Sequence, residues 1–172
     1  MILFEEQFIS TGVGWLKKRL DASNQLLVQK WEGLVYPTKF TFNSPATLEM
    51  IEEFLRDTHW HLPTDYKNFL LIHNGAWLFE GVRYGGGYEL LSLDEIKNSH
   101  LDYMPKHWYP ISINNGDYIF IDSNQVASGQ NNYLVCFNHD DVSTSEGYYL
   151  NMTFETWLER LIIAQGTEFW TW

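Results

Sequence analysis

The pattern of apolar and polar residues is most regular between residues 44 and 75, where apolar residues recur with the helical period of about 3.6 residues in two consecutive segments. Ser44 followed by Pro45 predicts the start of the first helix, because a serine oxygen caps free N–H groups and proline lacks the N–H that would be left unpaired. The apolar stripe of this helix is Leu48, Ile51, Phe54 and Leu55. Pro63 predicts the start of the second helix in the same way, and Asn74-Gly75 predicts its end, since glycine adopts the left-handed conformation that terminates helices. The stripe of the second helix is Tyr66, Phe69 and Leu70.

The residues before this region are less regular. Residues 12–31 are predicted to be helical, with bulky apolar residues near one side and the basic residues 17–19 on another. Residues 34–42 remain ambiguous, because Pro37 disfavours a long central strand.

After Gly75 the pattern changes from a helical period to strict alternation. The glycine run at residues 85–87 predicts a turn, and Asn115-Gly116 predicts a tight hairpin, because both residues tolerate a positive φ. Ser92 is predicted to cap a short helix. The predicted strands are residues 77–84, 88–91, 107–113, 117–122, 133–138 and 148–150.

A last helix is predicted over residues 153–165 and is ended by Gly166. The tail that follows contains Phe169, Trp170 and Trp172, and we expect it to pack on the body or to meet a partner. Helices at both ends with successive hairpins between them predict an α+β fold and not a doubly wound parallel sheet.

The order of these motifs resembles the SUKH superfamily, which includes fungal cell-wall-assembly regulators of the Smi/Knr type and bacterial immunity proteins. The resemblance covers residues 44–165 and continues in residues 89–96, in residues 108–122 and in the last helix. The matching residues of the first motif are Glu53, Phe54, Leu62, Pro63, Asp65, Tyr66, Lys67, Phe69, Leu70, Asn74 and Gly75. The resemblance implies a curved, mainly antiparallel sheet with helices packed around it. We therefore expect a single domain over residues 1–172, with an N-terminal helical extension (1–43), a SUKH-like core (44–165) and an aromatic C-terminal tail (166–172).

Composition narrows the classes of partner. The net charge of −11, from 22 acidic and 11 basic residues, makes direct binding of nucleic acid unfavourable and suits a partner with a basic surface. Residues 121–172 contain seven acidic residues and one basic residue, so we expect an acidic patch there.

The single cysteine, Cys136, excludes an intramolecular disulfide and agrees with a reducing compartment. The N-terminus lacks the pattern of a secretory signal and no window has the length of a membrane span, which predicts a cytoplasmic protein.

Motifs for catalysis or metal binding are missing from the sequence. The glycine run at residues 85–87 is not followed by the Lys-Ser/Thr pair of a phosphate loop, and the six histidines do not have the spacing of a metal site. No Gly-x-Ser-x-Gly motif occurs, and Cys136 lies in an apolar run that disfavours a thiolate. We therefore expect no enzymatic activity, no cofactor and no metal.

The resemblance to the SUKH superfamily implies a non-enzymatic immunity protein that binds and neutralises a cognate toxin, such as a nuclease, in the cytoplasm, and the acidity and the lack of catalytic motifs agree with this function. The candidate partner-binding residues are aromatic and acidic and lie in predicted turns, hairpins and one acidic loop: Trp77, Tyr84, Asp117, Tyr118, Asp140, Asp141 and Glu146. Two alternatives stay open, a regulatory scaffold for protein–protein interaction and a domain that binds a ligand or carbohydrate on exposed rings. We expect a monomer or a weak homodimer.

Overall fold

The computed structural model describes residues 5–30, 33–100, 104–138 and 147–171, and these contain six helices, eight strands and a 3-10 turn at Phe169–Thr171. The helices are α1 (Glu5–Arg19), α2 (Leu48–Thr58), α3 (Thr64–Leu70), α4 (Leu93–Asn98), α5 (Ser123–Ala127) and α6 (Phe154–Ile163). The strands are β1 (Gln25–Gln29), β2 (Val35–Phe42), β3 (Ala76–Gly81), β4 (Tyr88–Leu90), β5 (Trp108–Asn114), β6 (Asp117–Asp122), β7 (Leu134–Phe137) and β8 (Tyr148–Tyr149).

The eight strands form one open sheet in which each strand pairs antiparallel with the next strand in the chain. The tightest connection joins β5 to β6, where Asn115 and Gly116 have φ angles of 52° and 94°. Two consecutive positive φ angles are what a two-residue hairpin turn of type I′ requires, and this confirms the hairpin predicted from Asn-Gly. The α+β fold predicted from the sequence is also confirmed.

The two faces of the sheet differ in burial. Residues directly opposite one another on neighbouring strands share a face, so the strand register defines one row on each side. The inner row is Phe42, Ala76, Leu90, Ser112, Ile119 and Cys136, and the last five of these are buried. The outer row is Thr41, Trp77, Glu89, Ile113, Tyr118 and Phe137, and none of these is buried.

The main core lies between the inner face and the helices. Tyr66 of α3 and Phe154 of α6 meet edge to face with ring centroids 4.8 Å apart, and Trp157 is fully buried beside them. The C-terminal tail joins this core, because the Trp170 ring lies 6.1 Å from Trp157 and 6.3 Å from Tyr88. The tail therefore packs on the body, which is one of the two arrangements expected from the sequence. Trp172 lies outside the described residues.

The helix boundaries near residues 44–75 differ from the predicted ones. Thr47, and not Ser44, caps α2 by accepting a hydrogen bond from the Met50 N–H. His59 ends this helix in the left-handed conformation. Helix α3 ends at Leu70, before Asn74-Gly75, so the prediction that Gly75 terminates it was wrong. Gly75 (φ 94°) instead lies against β4, where a Cβ atom would be 2.7 Å from the Leu90 oxygen.

The prediction of one helix over residues 12–31 was wrong beyond Arg19. The Asp21 carboxylate accepts hydrogen bonds from the Ser23 and Gln25 N–H groups, which closes a turn, and Asn24 takes a positive φ of 56°. The chain then enters β1 and not a second stretch of helix. In its described residues, 5–30 and 33–43, the N-terminal extension predicted to be helical therefore contains one helix and two strands.

The ambiguous residues 34–42 form β2, which includes Pro37. The register of β2 with β3 begins at Thr38, one residue after Pro37. The Pro37 carbonyl oxygen points to this side of β2, where it accepts a hydrogen bond from the Val82 N–H (N···O 3.5 Å). The missing N–H of proline therefore faces the same side and interrupts no ladder hydrogen bond.

Local capping explains the remaining helices. Ser92 and Glu95 form a capping box at the start of α4, and Thr153 caps α6, which confirms both predicted starts. Helix α5 was not predicted. Its N-terminal cap is Asp122, a buried residue that is 2% exposed. The Asp122 carboxylate accepts hydrogen bonds from the Asn124 and Gln125 N–H groups.

Candidate functional site

The outer row is the best candidate for a partner-binding surface. It brings two predicted residues, Trp77 of β3 and Tyr118 of β6, onto one face. They lie three strands apart, roughly 14 Å at the usual strand spacing, with Glu89 and Ile113 between them. Trp77 is 36% exposed, so an indole ring on an interior strand of the sheet is available to a partner. Such rings are the residues that dominate protein interfaces.

A second aromatic cluster supports the end of the outer row at Tyr118. The Tyr118 ring stacks on Phe120 with centroids 5.5 Å apart, and Phe120 in turn contacts Trp108 at 6.0 Å and Phe137 at 6.5 Å. Met104 and Val135 complete this cluster on the outer face. The packing holds the rings in defined positions, so a partner would not have to order them on binding.

The other predicted site residues are not all on this face. Tyr84 is 93% exposed in the turn between β3 and β4. This turn lies beside the β5–β6 hairpin, since a Cβ atom on Gly86 would be 3.3 Å from the Asn115 side-chain oxygen. Asp117 is at the same end of the sheet, but as the neighbour of Tyr118 on β6 it belongs to the opposite face, where it pairs with Asn114.

The acidic loop predicted to contribute to binding falls outside the described residues. Asp140, Asp141 and Glu146 are all in the segment 139–146. The described residues on either side are Asn138 and Gly147, which follow β7 and precede β8. The loop therefore remains a prediction.

Helices α2 and α4 carry an acidic surface that the sequence reasoning did not identify. The two helices contact each other, and their exposed charged side chains are six carboxylates and two cations, which leaves a net charge of −4. The carboxylates are Glu49, Glu52, Glu53, Asp57, Asp94 and Glu95, and the cations are Arg56 and Lys97. Lys97 pairs with Asp57 at 2.7 Å. The signal was present in the sequence as the polar faces of two helices, but their proximity comes from the fold.

Glu89 connects this acidic surface to the outer row. Partial burial raises the pKa of its carboxyl group, and the negative charge of Glu95 on α4 raises it further. A basic group from a partner would lower this pKa, because a nearby opposite charge favours the ionised carboxylate. The segment 121–172, where we expected the acidic patch, uses Asp122 internally as the cap of α5.

An open cleft of about 880 Å³ lies on another side of the molecule, between the α2–α3 joint, α5 and the start of α6. Asp65 forms one wall and connects three elements. Its carboxylate accepts hydrogen bonds from the Tyr133 hydroxyl of the residue before β7 (2.6 Å), from the Glu155 N–H of α6 (2.9 Å) and from the Tyr66 N–H of α3 (2.8 Å). Burial, followed by the Asp65 charge, raises the pKa of the Tyr133 hydroxyl.

Among the described residues, no group of three or more His, Cys, Asp or Glu side chains is placed to hold a metal ion. His73 is used inside the fold, where its ring nitrogens contact the Lys17 ammonium (2.6 Å) and the Asn43 carbonyl (2.8 Å). Burial raises the pKa of the Cys136 thiol to about 11, which disfavours the reactive thiolate. In the part of the chain that the structure describes, no helix is long and apolar enough to cross a membrane.

Comparison with known proteins identifies the family. The model of the SMI1/KNR4 family (SUKH-1) matches residues 45–160. The chain belongs to the SMI1/KNR4 family. Two relatives come from Bacillus subtilis (strain 168): the uncharacterized protein YobM is 35% identical over 175 residues (96% of this chain and 92% of YobM), and the uncharacterized protein YnaB is 31% identical over 133 residues (76% and 86%).

The SMI1/KNR4 segment contains the cleft, the acidic helices and the outer row from Trp77 onward. Helix α1 and strands β1 and β2 lie before it. Because the similarity to YobM omits only 4% of this chain, it includes most of this N-terminal extension. The Leu-Pro-x-Asp-Tyr motif that carried the resemblance places Asp65 at the junction of α3, β7 and α6, so the motif has a structural role in this SMI1/KNR4 protein.

Proposed function

We propose that this SMI1/KNR4 protein is a non-catalytic immunity protein that neutralises a cognate protein toxin in the cytoplasm by binding it on the outer face of the sheet. The observation that carries the proposal is the outer row, in which a tryptophan that is about one-third exposed, a tyrosine and a phenylalanine share one face with a single carboxylate. A central aromatic anchor with polar groups around it is the usual arrangement of a tight interface.

Electrostatics supports a basic partner. The chain has a net charge of −11, and the α2–α4 surface adjoins the outer row through Glu89 and Glu95. An acidic surface of this kind accelerates the encounter with a cationic partner, and the acceleration falls as salt screens the charges. A nuclease toxin, which carries a cationic groove for its nucleic-acid substrate, has this chemistry.

The test is to measure the affinity of the full chain for the C-terminal domain of each toxin encoded beside its gene, at low and at high salt. Trp77→Ala is expected to weaken binding by roughly 30-fold, the loss of about 2 kcal/mol that is typical of a central anchor. The matched control is Trp15→Ala, which removes an indole that is 63% exposed on α1, and its affinity should equal that of the unaltered chain.

Two outcomes would contradict the proposal. Equal affinity of the Trp77→Ala and unaltered chains would exclude the outer row as the binding face. Failure to bind any neighbouring toxin domain, together with capture of a protein of the host cell, would favour the regulatory scaffold.

The cleft beside Asp65 supports a second candidate function, the binding of a small ligand such as a carbohydrate. Its volume of about 880 Å³ lies within the range of ligand pockets, and it combines the Trp60 ring with the amides of Asn68 and Gln130. A thermal-shift screen of soluble sugars and metabolites tests this function. A ligand that stabilises the unaltered chain and not Gln130→Ala would support it, and a screen without any stabilising compound would argue against it.

A further inference from the structure

A small cavity lies on the inner face of the sheet, beneath the β5–β6 hairpin and next to the C-terminal tail. Tyr88 of β4 and Ser112 of β5 line it from the sheet, and Glu168 and Trp170 line it from the tail. Its volume is about 10 Å³, which is room for about one water molecule. The cavity is separate from the outer row and from the cleft beside Asp65.

Two hydroxyl groups in this cavity are deeply buried. Tyr88 is 2% exposed and Ser112 is 1% exposed. Among the described residues, neither hydroxyl has a hydrogen-bond partner of normal geometry, although Tyr88 lies near the Asn114 side chain. A buried hydroxyl without a partner destabilises a fold, and most such groups in native proteins bind protein atoms or ordered water.

Two carboxylates that line the cavity supply acceptors, one from the tail and one from β6. Glu168 receives a hydrogen bond from the Asn114 side-chain amide (3.1 Å), and Asp117 also lines the cavity. Burial raises the pKa of the Glu168 carboxyl group, and the charge of Asp117 raises it further. Hydroxyl groups that can donate and carboxylates that can accept therefore line one cavity of molecular size.

We infer that this cavity is a binding site for one water molecule, which accepts hydrogen bonds from Tyr88 and Ser112 and donates hydrogen bonds to Glu168. A water molecule has two acceptor and two donor positions, so it complements a cavity lined by two hydroxyls and by carboxylates. The bound water joins the tail to the sheet through polar contacts, in addition to the ring contacts of Trp170 with Tyr88 and Trp157. The inference does not depend on the proposed function.

The test is a high-resolution crystal structure of the full chain, followed by the variants Tyr88→Phe, Ser112→Ala and the double variant. The unaltered protein is expected to show one density peak in the cavity, at roughly 2.7–3.2 Å from its oxygen partners. The double variant should lose this peak, and backbone hydrogen exchange of residues 166–171 should become several-fold faster. Tyr84→Phe removes a hydroxyl from an exposed tyrosine and is the matched control, which should retain both the peak and the slow exchange.

Three results would overturn the inference. A cavity without density in the unaltered protein would exclude a bound molecule. A peak with contacts at about 2.4 Å, together with a thermal midpoint that rises in sodium chloride and not in choline chloride, would identify a cation instead. Unchanged exchange of the tail in the folded double variant would show that no bound water stabilises the tail.

Discussion

The hydrogen bonds of Asp65 provide the sharpest test of how the fold is held together. Its carboxylate joins α3, the start of β7 and the first turn of α6, through the Tyr133 hydroxyl and the Glu155 and Tyr66 N–H groups. Tyr133 is also the acceptor for the Phe154 N–H, so the start of α6 depends on Asp65 both directly and through Tyr133. We predict that Asp65→Ala is strongly destabilising.

The expected magnitude follows from the partners that are left unpaired. The substitution removes a charged acceptor from one buried hydroxyl and one helix N-terminal N–H, each worth about 1–3 kcal/mol. The Tyr66 N–H, whose bond to Asp65 is only partly buried and joins adjacent residues, is counted at less than this. The free energy of unfolding should therefore fall by about 3–5 kcal/mol, a large part of the stability of a typical domain. Asp94→Ala, an exposed carboxylate in the first turn of α4, is the matched control and should cost less than about 1 kcal/mol.

Urea denaturation followed by far-UV circular dichroism measures this difference. With a slope of about 2 kcal/mol per molar urea, a loss of 4 kcal/mol lowers the midpoint by about 2 M. A double-mutant cycle with Tyr133→Phe isolates the hydroxyl–carboxylate pair, and we expect a coupling energy of about 1.5–3 kcal/mol.

Two outcomes would refute this reasoning. A loss for Asp65→Ala no larger than that for Asp94→Ala would mean that solvent replaces the three hydrogen bonds without cost. Additive effects of Asp65→Ala and Tyr133→Phe would mean that the short contact between them contributes nothing to stability.

Three further predictions concern other parts of the fold. Burial, and next the charge of Lys17, lower the pKa of His73, so the unfolded chain binds a proton at a higher pH than the folded chain does. The contribution of His73 to stability should therefore be complete above the ordinary histidine pKa of about 6.5 and should fall below it. Urea denaturation of His73→Gln should show a smaller loss of stability between pH 7 and pH 5 than the unaltered chain does. Gly87→Ala should destabilise the protein by more than the roughly 1–2 kcal/mol expected for the control Gly129→Ala in the same denaturation assay. Both glycines have a positive φ, but only a Cβ atom at position 87 would meet backbone atoms, 2.7 Å from the Leu78 oxygen. Equal losses of stability would contradict this reasoning. The Cys136 thiol is buried and has a pKa of about 11, so it should react with a thiol reagent at pH 8 only after the protein unfolds. Rapid reaction of the folded protein would contradict this prediction and show that β7 is accessible to the reagent.

Much of the fold could be predicted because its signals are local. Ser92 and Glu95 form a capping box within four residues, and Asn115-Gly116 tolerate positive φ without help from other parts of the chain. The errors also have local causes that were overlooked. Asp21 closes a turn with its own neighbours, although it lay inside the predicted helix 12–31, and Asp122 caps α5, although it was only the last residue of the predicted strand 117–122.

The candidate site was less predictable, because it depends on strand register. Adjacent residues on a strand point to opposite faces, so Tyr118 joins the outer row while Asp117 lines the cavity on the inner face. The sequence placed the two residues together in one candidate set. Only the pairing of β3 with β4, β4 with β5 and β5 with β6 shows that Trp77 and Tyr118 share a surface.

By itself, the sequence determined the α+β class, the family and the overall negative charge, because these follow from short-range patterns and composition. The tertiary structure decided where the charge is exposed and which rings remain accessible. Six carboxylates form one surface because α2 contacts α4, and Asp65 is a junction because three elements distant in the chain meet at its carboxylate. Such contacts depend on how helices and strands pack, and this packing is not encoded in any single stretch of the chain.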